Sequence, residues 1–500
     1  MGEGGLAERA ALSSHDDLEP GPFASGSGSG WALRWWTMVQ LTVRSLRGFA
    51  AVAVIASSLV VASTDSASAT PGQRRWVQRY DYGAGTDFVT DTAVSPDGST
   101  VFVTGASFTT SENHDIATIA YTASDGTPRW ERRYAGPDLD WDIGSAIAVS
   151  PDGSTVFVTG TSWSFASRDD YVTVAYAASD GERLWVRRYT RSTATDDRGT
   201  AIAVSPDSQT VFVTGQSYTS SAYGYATVAY AASDGTRLWR KVSNGIFQAD
   251  AMALSPDGAR VFITGGIQTA NNKDFETIAL DASTGAQIWE ETFNGDADGD
   301  DVGMAIGVGS SGSKVFVTGR SDGATTLGNY ATIAYGADDG SQRWVQGFHA
   351  RAHWFSHMAL AVAPNGSRIV VTGSGTRGGY PQFVTVAYGA SGTKAWADRY
   401  DGPTHKYSYA SDVAISPDSR QAIVTGETSA AKHGYDVATI AYGLTHGPRL
   451  WVRRYDGPDS LTDNASTVAI GPTGSSAYVA GESDGIVRND DYLTIAYSLK

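Results

Sequence analysis

The chain has 500 residues, a formal net charge of −16, 57 glycines and no cysteine. Its acidity excludes a nucleic-acid binder and a protein that clings to anionic membranes, since both need a basic surface. Without cysteine, disulfides contribute nothing to the fold.

Residues 1–37 are Gly/Ser-rich and acidic, and they sit poorly ahead of the segment from Arg44 to Ala69. There Arg44 and Arg47 precede an apolar run from Gly48 to Ser63, and Ala67-Ser68-Ala69 supplies small residues for cleavage. A basic stretch, a short apolar core and an A-x-A site describe a secretory signal peptide. The run falls short of the about 20 residues that span a membrane. Three segments are therefore expected. Residues 1–37 are a gene-model extension, with translation starting at Met38, or a disordered leader on a membrane-anchored protein. Residues 38–69 are the signal peptide, cleaved near Ala69. Residues 70–500 are the mature chain, secreted or at the cell surface with no membrane insertion.

From there on one unit repeats. Tryptophans stand at 76, 130, 185, 239, 289, 344, 396 and 451, at intervals of 50 to 55 residues. A period of this length marks a propeller, a solenoid or an array. The unit from Asp142 to Tyr189 divides into four short strands. Pro151-Asp152-Gly153 forms the first turn: Pro fixes φ, Asp bonds its own backbone and Gly accepts φ > 0. A longer polar loop leads to the third strand, and Asp180-Gly181 turns the chain into the strand that carries Trp185. Turns spaced this closely, with β-branched and aromatic runs between them, predict an all-β fold. Trp76 has no preceding strand of its unit, and the last such strand, ending at Tyr497, has no tryptophan after it. A segment orphaned at each end predicts a closed ring: an eight-bladed β-propeller of four-stranded blades, with the Trp76 strand completing the last one. The arginine pairs beside the tryptophans (Arg132 and Arg133, Arg187 and Arg188, Arg453 and Arg454) are expected to be solvated charges that protect an edge strand.

The strand-turn-tryptophan stretch resembles the docking motif of the quinoprotein dehydrogenase family, Ala-x-Asp-x-x-x-Gly-x-x-x-Trp. The fourth copy fits throughout, with Ala279, Asp281, Gly285 and Trp289; others keep Ala, Gly and Trp, as in Ala175, Gly181 and Trp185. The resemblance covers residues 74–500 and implies an eight-bladed propeller whose tryptophans dock between blades. The family holds pyrroloquinoline-quinone (PQQ) enzymes and cofactor-free scaffolds such as the outer-membrane assembly lipoprotein. Many of its alcohol dehydrogenases carry adjacent cysteines over the cofactor. This chain has none, and its compact repeats leave little room for the insertions that build a deep pocket. No cofactor is assigned, and PQQ is not expected.

Function in propellers gathers on the longer loops. Here those are the blade-to-blade links and the links from second to third strand, which share one face. Asp87, Asp142, Asp197, Asp301 and Asp463 recur there. Five carboxylates near a channel mouth could hold a cation or a cationic ligand. The same residue in five blades points instead to bonding of backbone amides. Asn294, Asp296, Asp298 and Asp300 alternate like the front of a calcium loop, although Ala305 stands where the closing Glu belongs. His349, His353 and His357 could hold a transition metal if the loop gathers them. Trp141, Trp163, Trp354 and Tyr380 are aromatic candidates for stacking on a sugar or packing a protein. No nucleophile elbow or phosphate loop occurs. The leading expectation is a monomeric, non-catalytic binding or scaffold propeller engaging a protein or carbohydrate ligand. The alternatives are a quinone- or metal-dependent oxidoreductase and a hydrolase or lyase acting on sugars.

Overall fold

The computed structural model describes residues 70–500 except 84, 109–112, 139–140, 192–195, 219–223, 245, 271, 296–298, 323–327, 353–356, 431–433, 459 and 486–489. Every regular element among them is a β-strand, and the strands form eight antiparallel four-stranded sheets. In chain order the blades are 87–134, 142–189, 197–244, 246–293, 301–352, 358–400, 408–455 and 463–498. The eighth takes its outer strand from Arg74–Tyr80, with Trp76 opposite Ala496 and Tyr80 opposite Tyr492. The chain thus forms an eight-bladed propeller closed by its N-terminal strand, as the orphaned segments predict.

Each first turn is wired as its sequence requires. In the second blade Ser150 Oγ accepts from Thr155 N–H at 3.0 Å, Asp152 Oδ1 accepts from Ser154 N–H at 2.9 Å, and Gly153 holds φ +74°. These bonds fix the register of the inner hairpin. Strands two and three are buried on both faces because each blade is packed between two others.

The tryptophans stitch blade to blade. Trp130 Nε1 donates to Ala178 O at 3.0 Å in the next blade, and seven indoles make the corresponding bond. The motif's glycine serves the previous blade's indole. Gly181 sits at φ +73°, and a Cβ there would lie 2.8 Å from the Trp130 ring. A side chain would strain the backbone and strike the indole. At the seam Gly72 packs on Trp451 in the same way, and its N–H donates to Ser498 O at 2.7 Å. Trp451 Nε1 is buried there with no acceptor among the described residues.

The arginines do more than protect an edge. Arg132 Nε donates to Gly181 O at 2.8 Å, Arg187 Nε to Gly235 O at 2.8 Å, and Arg453 Nε to Gly72 O at 2.7 Å. The first arginine of each pair caps the docking turn of the next blade. The second turns inward, as Arg188 does toward Asp170 of its own blade.

Candidate functional site

The loop face is built on a repeated lock. Asp87, Asp142, Asp197, Asp301 and Asp463 open their inner strands and are 0 or 1% exposed. Each accepts from the backbone of the link that enters its blade: Asp142 from Gly136 N–H, Asp197 from Arg191 N–H at 2.8 Å, Asp301 from Gly295 N–H at 2.7 Å, and Asp463 from Gly457 N–H at 2.6 Å. Asp87 binds Tyr82 N–H and Phe108 N–H, both at 2.9 Å. Burial pushes Asp87, Asp142 and Asp463 up to about 6, against the pull of these hydrogen bonds. The carboxylates lie beneath the loops and hold them in place.

Above the lock stand aromatic rings. Phe165 is 81% exposed, Tyr82 47%, Tyr407 41%, and Trp141 and Tyr380 38% each. Trp163 is half-buried and meets Phe165 edge-on with centroids 4.6 Å apart, while Tyr380 meets Tyr407 at 5.3 Å. Trp354 and His353 lie outside the described residues, as do Asp296 and Asp298 of the calcium pattern. Of that pattern, Asp300 Oδ1 accepts from Lys273 N–H at 3.1 Å. His349 lies in the fifth blade's outer strand and lines a cleft against the sixth, and His357 stands exposed just ahead of the sixth blade's inner strand. Among the described residues no three His, Cys, Asp or Glu side chains converge to hold a metal.

Two features escape a reading of the sequence alone. In the central channel, a bulge interrupts the inner strand of every blade but the sixth, and the residue after it is alanine in blades two to five. In the first and seventh blades it is Asp91 and Asp412. Asp91 accepts from Ile147 N–H at 2.9 Å and Asp412 from Val468 N–H at 2.8 Å, each reaching into the next blade. Burial pushes Asp91 up to about 7 and Asp412 to about 6. Aligning the inner strands on their bulges would have exposed both. The second feature is the cleft between blades five and six. It has a volume of about 450 Å³ and is lined by His349, Arg351, Thr376, Arg377, Gly378, Gly379 and Arg399.

The profile of the family described as outer membrane protein assembly factor BamB matches residues 222–320 and 273–491. The chain belongs to this family of PQQ-like propellers. No curated protein sequence matches it. Among solved structures it is similar to Sqt1 from Chaetomium thermophilum, bound in that structure to the N-terminus of ribosomal protein L10. Identity there is 14%, the TM-score is 0.54, and 84% of this chain and 98% of that one are covered. It is also similar to the quinohemoprotein alcohol dehydrogenase ADHIIG from Pseudomonas putida HK5, at 11% identity and TM-score 0.51 over 84% of this chain and 75% of that one. The quinohemoprotein alcohol dehydrogenase from Comamonas testosteroni gives 11% and 0.51 over 83% and 75%. At such identities these likenesses show the fold alone.

The structural relatives include quinone enzymes, and a quinone site needs a metal-ligating donor set beside the ring. The described channel carboxylates, Asp91 and Asp412, are instead committed to backbone N–H groups of neighbouring blades. Among the described residues no such donor set converges, and no step is derived through a quinone.

Proposed function

We propose that the chain is a secreted, non-catalytic binding propeller that presents its loop face to a protein partner. One observation carries this reading: five large rings, Tyr82, Trp141, Phe165, Tyr380 and Tyr407, stand exposed on the face where the links gather. Aromatic side chains offer large contact area at low entropic cost and are enriched at protein interfaces. The apolar residues exposed elsewhere, Leu184, Leu238, Ile288 and Leu450, stand singly on outer strands, one per blade. The N-terminal basic stretch, apolar run and Ala67-Ser68-Ala69 support export of the working chain, with cleavage near Ala69.

The test is site-specific photo-crosslinking in the producing cell. A benzophenone side chain replaces Tyr407 on the loop face or Asp152 on the turn face. We expect one discrete protein adduct from position 407, lost when Phe165→Ala and Trp141→Ala are added, and none from position 152. Equal labelling of both faces would remove the reading. Retention of the chain on an oligosaccharide, dependent on Phe165 and without a protein adduct, would turn it to a carbohydrate ligand. Dye-linked alcohol oxidation after addition of PQQ and calcium would overturn the non-catalytic assignment.

A further inference from the structure

Some outer strands carry an arginine three residues after the docking tryptophan. Arg79, Arg133, Arg188, Arg399 and Arg454 occupy this place in five blades. In four of them the guanidinium turns toward the loop end of its own blade and meets an aspartate of the third strand. The pairs are Arg79–Asp491 at 2.9 Å, Arg133–Asp115 at 3.2 Å, Arg188–Asp170 at 2.8 Å and Arg454–Asp436 at 3.4 Å. A serine opposite that aspartate completes the cradle in the first two blades, where Ser107 O and Ser162 O accept from Arg133 and Arg188 at 2.9 and 3.1 Å.

The sixth blade keeps the arginine and deletes both partners. Gln382 stands where the aspartate belongs, and Gly375 stands opposite it in place of serine. Arg399 Nη2 donates to His349 O at 3.0 Å, but Nη1 is buried with no acceptor among the described residues. Gln382 Oε1 is likewise buried and unmatched among the described residues. A Cβ at position 375 would lie 2.6 Å from Val384 Cγ2, 2.7 Å from Ala350 O and 3.1 Å from that Nη1, so close packing excludes the serine that the first two blades place there.

Charge is added where the counter-charge was removed. Arg351 and Arg377 line the same cleft, and neither side chain forms an ion pair or hydrogen bond with a described residue. Burial, and then the charges of Arg377 and Arg351, push the Arg399 guanidinium down from its ordinary value, against the influence of Tyr330. Arg351 also holds φ +54°, a conformation that costs a non-glycine residue about 1–2 kcal/mol. Backbone strain of this kind persists where the surroundings enforce it and often marks a ligand clamp. Three guanidinium groups gathered without a carboxylate, in a chain of net charge −16, make a local inversion of sign. An unmatched buried N–H on a charged group is costly, and bidentate binding of an oxyanion is what relieves it.

We propose that the cleft between blades five and six binds a doubly charged tetrahedral oxyanion, a phosphate or sulfate group, on Arg351, Arg377 and Arg399. The ligand's oxygens take the place that the aspartate carboxylate fills in the other blades. This assignment stands apart from the identity of the partner on the loop face, because it rests on the cleft alone.

The decisive variant puts the counter-charge back. Titration calorimetry on the full chain, at fixed ionic strength, would measure inorganic phosphate, inorganic sulfate and glucose 6-phosphate as probes. The wild type should bind at least one of them. Gln382→Asp should weaken that binding roughly tenfold or more, the scale of one charge-assisted hydrogen bond. Arg351→Gln/Arg377→Gln, at exposed positions, should weaken it at least as much. Arg420→Gln, on the turn face beside Asp418, should leave it unchanged. Binding of the inorganic ions identifies a free-ion site, and binding of the ester alone identifies a group carried on a larger ligand. No heat from any probe with the wild type, or affinity undiminished in a folded Gln382→Asp chain, overturns the proposal.

Discussion

Blades two and six are cut from one pattern and differ in what that pattern leaves unsatisfied. In the second, Arg188 is held by Asp170 and by Ser162, and charge is balanced inside the blade. The inner strand there runs for eight residues, Asp142–Val149. In the sixth it is cut to Met358–Val362, and the preceding outer strand extends to eleven residues, Gln342–Ala352, which brings His349 and Arg351 to the cleft. The docking machinery is nonetheless the same. Trp185 donates to Ala232 O and Trp396 to Leu444 O, both at 2.9 Å. A repeat protein can therefore hold the inter-blade joint constant while releasing the loop end of one blade. Function is legible as a local failure of the repeat, at positions where the structural partners have been removed.

The largest expected effects ignore this contrast. Trp185→Ala and Trp396→Ala should each lower stability by about 3–5 kcal/mol, the range for deleting a buried large aromatic side chain. Denaturant titration of the two variants would measure it. A much smaller loss at Trp396 would break the comparison, because the sixth blade would then be loosely docked as well as unbalanced.

Next in size is the conversion of one blade toward the other. Asp170 has a side chain only 5% exposed and also accepts from Ser167 Oγ at 2.6 Å. Asp170→Gln copies the sixth blade's chemistry into the second without the glycine or the added arginines. It strands Arg188 and should lower stability by roughly 2–3 kcal/mol, near the lower bound for breaking a buried pair. A neutral outcome in a denaturant titration would show that water alone satisfies this arginine. The unmatched state of Arg399 would then carry no free energy.

A third departure from the repeat lies in the fourth blade, and pH reveals it. Glu276 is 3% exposed where the other blades carry Ala117, Val172, Ala226, Ala331, Val384, Ala438 and Leu493. Burial, then the hydrogen bond and charge of Glu290, push it up to about 9. A native pKa above the ordinary value means that the folded chain keeps a proton which the unfolded chain releases. Its stability is full below about pH 4.5 and is lost progressively as pH rises to about 9. Glu276→Gln should therefore raise the melting temperature at pH 7 and above, with a gain on the order of 2 kcal/mol at pH 7. It should also flatten the decline between pH 5 and pH 9. A variant whose stability falls with pH as steeply as the wild type's would move the source to the other carboxyls that burial raises, Asp490 to about 9 and Asp91, Glu427 and Glu482 to about 7.

How much of this the sequence contains depends on the range of the interaction. The blade number, the turn at Pro151-Asp152-Gly153 and the closing role of the Trp76 strand are legible because local turn chemistry and a fixed period determine them. The docking partner of each glycine is not, because Gly181 meets the indole of Trp130 from the blade before its own. The arginines look like solvated edge charges in a one-dimensional reading, and only the cradle of Asp170 and Ser162 explains Arg188. The aspartates at 87, 142, 197, 301 and 463 stand out as a recurring residue, whereas their depth beneath the loops comes from packing. The cleft was written in the sequence as an absence. Gln382 lies six residues before Tyr388, where Asp115, Asp170, Asp436 and Asp491 lie six before Tyr121, Tyr176, Tyr442 and Tyr497. A search for residues that recur passes over one that fails to.

The smallest expected effect separates strain from charge. Arg168 in the second blade and Arg351 in the cleft both hold positive φ, 65° and 54°. Glycine adopts that conformation freely, but it also loses more backbone entropy on folding, so each Arg→Gly change should gain only about 0.5 kcal/mol from released strain. Arg168 is exposed at the first residue of its strand, and its change should yield that and no more. Arg351→Gly also removes one of the three like charges around the cleft and should gain a few tenths of a kcal/mol beyond Arg168→Gly. Salt screens such repulsion within a Debye length of about 10 Å at 0.1 M and about 3 Å at 1 M. The excess should therefore appear in thermal melts at low ionic strength and vanish near 1 M sodium chloride, where the two variants should coincide. An excess that persists at high salt would assign the difference to backbone strain. Equal gains at every salt concentration would mean that Arg351 feels no repulsion from Arg377 and Arg399.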